Sequence, residues 1–229
     1  MSTIALVTGA NRGIGKEVCR QLAERDFEVL LSGRDIEKAE AATADIGLDN
    51  IVPAQLDVTD QTSIKRLAAN VTERYGKLDV LVNNAGGHYD YWQTALTADF
   101  ATVREAAETN LYGPWHVTQA FVPLLKQSDH SRIVNVGSGA ASLNSLGAGP
   151  PAYIASKAGL HALTLMLAAE LREDGVLVNA ICPGWVATDP NNPGGRPIPE
   201  GASGIVWAAL LPDDGPTGGF FRDQQPLAW

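Results

Sequence analysis

Cysteine is scarce in this chain of 229 residues: Cys19 and Cys182 are the two it has. They show no metal or disulfide spacing, so neither a zinc site nor a disulfide framework is in prospect. Positive charge is also in the minority, with 17 Lys and Arg against 26 Asp and Glu and a formal net charge of −9. That balance argues against a nucleic acid or an anionic membrane as partner, and it leaves any anionic ligand dependent on local cations such as Arg12, Arg34 and Lys157. No N-terminal segment resembles a signal peptide, so a reducing cytoplasm is the expected compartment. No Pro/Gly/Ser-rich linker, internal repeat or low-complexity tract divides the chain, and one domain over residues 1–229 is expected. The most apolar long stretch, about residues 150–170, contains Lys157, His161 and Glu170, and it reads as a buried helix rather than a membrane span.

What the chain has is alternation. Apolar, strand-like runs at 4–7, 27–31, 50–56, 78–83, 132–136, 176–182 and 219–221 are separated by helical patterns. The clearest helix follows Asp60, where Ile64, Leu67, Ala68, Val71 and Tyr75 form one apolar stripe that stops at Gly76. Strands that are apolar throughout are covered on both faces, which predicts an α/β fold with a doubly wound parallel sheet and helices on either side. Residues 189–201 are rich in Pro, Gly and Asn and read as a surface loop, with a substrate loop at about 187–201.

The first strand runs into Thr8-Gly9-Ala10-Asn11-Arg12-Gly13-Ile14-Gly15, and apolar residues at Ile14, Val18 and Leu22 then mark a helix face. Glycines at the handover from strand to helix let a pyrophosphate approach the backbone, where the helix N-terminus supplies free N–H groups and partial positive charge. The spacing is G-x-x-x-G-x-G. A Rossmann-type dinucleotide site follows from that placement.

A second constellation lies in the later helix. Tyr153 and Lys157 stand four positions apart, so at about 1.5 Å rise per residue they share one face a single turn apart. A lysine charge so placed is expected to lower the tyrosine pKa and ready the phenol for proton transfer.

With Asn83-Asn84-Ala85-Gly86, Asn110, Asn135-Val136-Gly137-Ser138 and Cys182-Pro183-Gly184-Trp185-Val186 followed by Thr188-Asp189, the motifs occur in an order that resembles the short-chain dehydrogenase/reductase family, in particular its carbonyl reductase branch. The resemblance spans essentially the whole chain. It implies that Tyr153 protonates a carbonyl oxygen as hydride arrives, that Ser138 hydrogen-bonds that oxygen, that Lys157 binds the nicotinamide ribose, and that Asn110 holds a water relaying protons to Lys157. The implied cofactor contacts are Gly9, Asn11, Arg12, Gly13, Ile14, Gly15, Arg34, Asp57, Val58, Asn83, Ala85, Gly86, Tyr153, Lys157, Pro183, Gly184, Val186 and Thr188. The chemistry fits, because a developing alkoxide needs a proton donor and a fixed hydrogen bond, while the hydride must come from a cofactor.

Ser32-Gly33-Arg34 stands where an NAD-binding relative places a carboxylate, so NADP(H) is the expected cofactor, with Asp35 as a rival for the ribose. The family often has a second serine at the position of Gly137. Ser142 and Ser145 lie close enough in sequence to compete with Ser138. The gap from Ser138 to Tyr153 is fifteen positions, far shorter than in the animal carbonyl reductases, which implies a more open site. His88, Tyr89, Tyr91, Trp92, Leu143 and Trp185 suit a pocket for an aryl ketone, quinone or aldehyde, or else belong to core or surface; nothing near His88 suggests a metal. Leu160, Leu163, Leu165, Met166 and Leu167 surround much of their helix, which points to a homodimer or homotetramer unless neighbouring helices cover them. Two other readings stay open: an NAD-dependent alcohol dehydrogenase, and a non-catalytic dinucleotide-binding regulatory protein.

Overall fold

Along the first strand, β1 (Thr3–Val7), successive side chains enter different cores: Ala5 and Val7 on one face, Ile4 and Leu6 on the other. That is the period of two of a strand covered on both sides. The computed structural model describes residues 2–188 and 194–229. Its further strands are β2 (Phe27–Gly33), β3 (Ile51–Gln55), β4 (Val80–Asn83), β5 (Arg132–Val136), β6 (Leu177–Ile181), β7 (Phe220–Arg222) and β8 (Gln225–Pro226). They form one sheet in the order β3-β2-β1-β4-β5-β6-β7-β8. All pairs are parallel except the last, where β8 turns back on β7.

The expected doubly wound parallel sheet thus carries one antiparallel edge. Asp223 and Gln224 both adopt positive φ, at 52° and 64°, as a two-residue hairpin turn of matching twist requires. A strand of two residues carries no periodicity to read.

The helices are α1 (Gly13–Ala23), α2 (Ile36–Ile46), α3 (Gln61–Tyr75), α4 (Phe100–Ala107), α5 (Gly113–Leu125), α6 (Pro151–Glu170) and α7 (Ile198–Ala209). Val18 and Leu22 of α1, Ala39 of α2 and Ile205 of α7 fill one core, while Ile64 of α3, Phe121 of α5 and Leu160 of α6 fill the other. The helix expected after Asp60 is α3: the Asp60 carboxylate accepts the Thr62 N–H at 2.8 Å, and Gly76 ends the helix at φ 69°. Residues 198–201 are not loop but the first turn of α7, entered from Pro197 at the N-cap, with Pro199 in the first turn, where proline is tolerated. Asp189 and residues 190–193 of the expected substrate loop lie outside the described residues. Helix α6 buries Leu160, Leu163 and Leu167, and leaves Leu165 and Met166 about half exposed.

The sheet order reverses between β1 and β4, which opens a crevice at their C-terminal ends. Thr8 spans it. Its N–H donates to the Val82 carbonyl at 3.0 Å, and its Oγ1 accepts the N–H groups of Asn84 at 3.0 Å and Ala85 at 2.9 Å.

Candidate active site

The glycine turn lies at this crevice. Gly9 has φ 61°, and a Cβ on it would come within 2.8 Å of the Ala85 backbone. A Cβ on Gly15 would press on the Asn84 amide and lie 2.9 Å from the Ala10 Cα. Both positions need glycine because the loops after β1 and β4 touch there. Helix α1 begins at Arg12, whose backbone is extended and whose side chain makes no cap bond. Among the described residues no side chain accepts its first N–H groups, an arrangement that suits a pyrophosphate. Helices α2, α3 and α4, by contrast, each carry an aspartate cap, at Asp35, Asp60 and Asp99.

The sequence-derived cofactor residues divide into those the fold brings to the crevice and those whose side chains are engaged elsewhere. Asn11 lies against Gly33 at the end of β2, and Thr188, after β6, lies against Gly13. Pro183, Gly184 and Val186 follow β6, with Gly184 at φ 77°. Ala85 and Gly86 follow β4, and a Cβ on Gly86 would lie 3.2 Å from both Asn110 Oδ1 and Lys157 Nζ. Arg12 and Arg34 are exposed, and Ile14 packs on the core beneath.

Asn83 is different. Its side chain is buried and donates from Nδ2 to Asn135 Oδ1 at 2.9 Å and Thr118 Oγ1 at 3.2 Å, so it braces β4 against β5 and does not reach the cleft. Asp57, at the end of β3, accepts the Thr59 N–H and hydroxyl at 2.9 and 2.7 Å, and Val58 is buried against Gly113.

Tyr153 and Lys157 lie in the first two turns of α6, both buried. Ser138 follows β5 and lies near enough to the Tyr153 phenol for its hydroxyl to favour the ionised form. The rival serines are elsewhere: the Ser142 hydroxyl donates to the Ala228 carbonyl at 2.9 Å, and Ser145 is exposed. Asn110 sits in a single π-helical turn, Glu108–Tyr112, between α4 and α5. Such turns recur at functional sites because they push one side chain out of the regular ladder. Asn110 Nδ2 donates to the Gly87 carbonyl and to Ser156 Oγ, both at 2.9 Å, and Oδ1 accepts the Gly87 N–H at 3.0 Å.

The electrostatics correct one expectation. The Tyr153 pKa is raised, not lowered: burial contributes most, followed by Tyr89, and the Ser138 hydroxyl pulls the other way. Lys157 shares the helical face, but its Nζ donates to the Val136 carbonyl at 2.7 Å, and burial pushes its own pKa down to about 8. Desolvation disfavours both charged forms and outweighs their proximity. The result is a protonated phenol.

Two contributors, Asp90 and His161, escaped sequence reasoning. Asp90 is fully buried and accepts the N–H groups of Ala152 and Tyr153 at 2.9 and 3.1 Å, which caps α6 from far away in sequence. The signal was the start of α6: Pro150 and Pro151 supply neither a capping side chain nor an N–H. The Tyr89 ring lies 4.5 Å from the Tyr153 ring. His161 accepts the Ser138 N–H on Nε2 at 3.3 Å and packs between Phe220 and Trp229. Burial, reinforced by the Lys157 charge, pushes its pKa down to about 4, so it is neutral near pH 7 and free to accept. A Cβ on Gly137 would lie 2.6 Å from that same Nε2, which explains the glycine found where the family often has serine.

The family model described as short chain dehydrogenase matches residues 3–196, and the chain belongs to that family of oxidoreductases, which use a nicotinamide dinucleotide. A (+)-neomenthol dehydrogenase of Arabidopsis thaliana is 36% identical, with 96% of each chain covered. Carbonyl reductase [NADPH] 1 of Bos taurus is 34% identical over 99% of this chain and 98% of that protein. The crystal structure of NADPH-bound carbonyl reductase from chicken fatty liver superposes with a TM-score of 0.88 at 30% identity, covering 100% of both chains.

Proposed function

We propose that this chain is an NADPH-dependent carbonyl reductase that converts a ketone, aldehyde or quinone to the corresponding alcohol, with Tyr153 as proton donor. The observation that carries this reading is that Ser138 at the end of β5 and the buried Tyr153 and Lys157, one turn apart on α6, lie at the same sheet edge as the glycine-cleared start of α1. When bound, the dinucleotide supplies the hydride. Ser138 and Tyr153 offer two hydrogen bonds to one substrate oxygen, and the phenol gives up its proton as negative charge builds there. The raised Tyr153 pKa keeps that proton in place until it is needed, which favours the reductive direction. Asn110 and Lys157 stand together at Gly86, a placement compatible with a proton relay behind the phenol.

Preference for NADPH rests on the end of β2. Arg34 is exposed there, while the rival carboxylate of Asp35 caps α2 by accepting the Lys38 N–H at 3.3 Å and pairing with Lys38 Nζ at 3.2 Å. A guanidinium without a competing free carboxylate suits a 2′-phosphate. The relatives named as NADPH carbonyl reductases point the same way. A homodimer or homotetramer through the Leu165 and Met166 face of α6, in a cytoplasmic setting, completes the reading; a monomer by light scattering at micromolar concentration would reject the assembly.

A panel of aryl ketones, quinones and aldehydes assayed with NADPH and with NADH tests the activity. Carbonyl-dependent oxidation of NADPH, at higher catalytic efficiency than NADH, is the expected result. Absence of turnover with either cofactor across the panel would sink the proposal.

A further inference from the structure

We infer that Asp90 and Tyr89 form one selectivity device in the proposed site: Asp90 fastens residues 88–92 to the start of α6, so that the Tyr89 ring walls the Tyr153 phenol and favours flat, conjugated carbonyl substrates over saturated ones. The inference rests on the carbonyl-reduction reading and deepens it.

Asp90 has no exposed surface, yet it carries a carboxylate. A buried charge is tolerated only when hydrogen bonds replace its water. Here Oδ2 accepts the Ala152 N–H at 2.9 Å and the Gln93 amide at 3.3 Å, and Oδ1 accepts the Tyr153 N–H at 3.1 Å. These backbone groups are the first two N–H donors of α6, because Pro151 has none. A full negative charge thus meets the positive end of the helix, and one of its bonds is to the backbone of Tyr153 itself. Displacing Asp90 moves the phenol.

The neighbouring residue uses that anchorage. The Tyr89 ring centroid lies 4.5 Å from that of Tyr153, with the planes inclined by 33°. His88 reaches this arrangement with φ 68°, in the left-handed region that costs a residue with a side chain, and its ring nitrogen Nε2 lies 3.3 Å from Thr109 Oγ1. Strain and a buried carboxylate, one on each side, hold Tyr89 in place. Tyr91 continues the platform, with its ring 6.3 Å from Tyr89 and nearly parallel to it. Tyr89 nevertheless keeps over half of its surface open. An aromatic group on a carbonyl whose oxygen meets the Tyr153 phenol finds the open Tyr89 ring alongside. A saturated ring of similar size gains the contact area without the stacking preference.

Acetophenone and cyclohexyl methyl ketone form the test pair, with NADPH as cofactor and the ratio of their kcat/KM values as readout. Tyr89→Leu should lower the aryl-to-cyclohexyl ratio about three- to tenfold, the size of an aromatic pair contribution. Tyr89→Phe should preserve the ratio, because it keeps the ring. Asp90→Asn presents an amide N–H to a backbone N–H. It should lower kcat roughly ten- to a hundredfold and lower the ratio with it, while NADPH affinity by fluorescence titration stays put. An unchanged ratio in Tyr89→Leu overturns the inference, even if every Asp90 variant fails to fold. A wild-type protein that turns over no carbonyl of the wider panel overturns the carbonyl reading and this inference together, whereas turnover with an unmoved ratio removes only the inference.

Discussion

Helices α1 and α6 begin in opposite ways. At α1 no described side chain supplies an anion: Arg12 makes no side-chain cap, and the preceding turn is cleared by glycines. At α6 the chain supplies the anion itself, because the buried Asp90 carboxylate takes the first two N–H groups. Both ends are positive by the same alignment of peptide dipoles. The difference teaches that an open helix end serves a ligand, while an occupied one holds a side chain in position. In the proposed function, recognition at α1 is built from backbone and chemistry at α6 from side chains whose placement depends on a remote residue.

Substitutions can separate the two ends. The largest effect is expected from Tyr153→Phe, which removes the transferable proton but keeps the ring. Carbonyl reduction should fall about 10²- to 10⁴-fold with NADPH affinity little changed. Near-wild-type turnover in this variant would remove the assigned chemistry from α6. Next is Gly9→Ala at the α1 end, which forces an alanine into positive φ against the Ala85 backbone. A strain of about 1–3 kcal/mol should appear as a roughly ten- to hundredfold loss of NADPH affinity in fluorescence titration, and intact affinity would show that this turn does not shape the nucleotide site.

Arg34→Ala sharpens the comparison within the nucleotide side. It should cost about tenfold in catalytic efficiency with NADPH, the scale of one charge-assisted hydrogen bond, and leave NADH unaffected. Equal losses with both cofactors would deny Arg34 a role at the 2′-phosphate. The smallest effect should come from Gly137→Ala, whose Cβ crowds His161 Nε2. Overpacking of about 1–3 kcal/mol predicts a fall of a few degrees in Tm, with kcat reduced through displacement of Ser138. An unchanged melting curve would show that the neighbourhood of His161 yields freely.

Much of this was legible beforehand, and the legible parts share a physical basis. Strand alternation, the apolar stripe of α3 with its Asp60 and Gly76 ends, the glycine turn, and the four-residue spacing of Tyr153 and Lys157 are all written in residues close along the chain, where helix and strand periods translate sequence directly into geometry. The short β8 strand and the early start of α7 were not legible, because two residues hold no period and a Pro-rich stretch can open a helix as well as a loop.

Local spacing in the sequence was enough for the fold class, the glycine turn before α1 and the shared helical face of Tyr153 and Lys157. Tertiary structure decided what no spacing encodes. It singled out Ser138, because Ser142 is tied to Ala228 at the far end of the chain. It turned Asn83 away from the cleft toward Asn135 on the neighbouring strand, and it brought Asp90 to α6 across 62 positions of sequence. It also reversed the expected direction of the Tyr153 pKa. Proximity to Lys157 follows from the helix, but desolvation sums over every atom the fold packs around the phenol, and here that sum prevails.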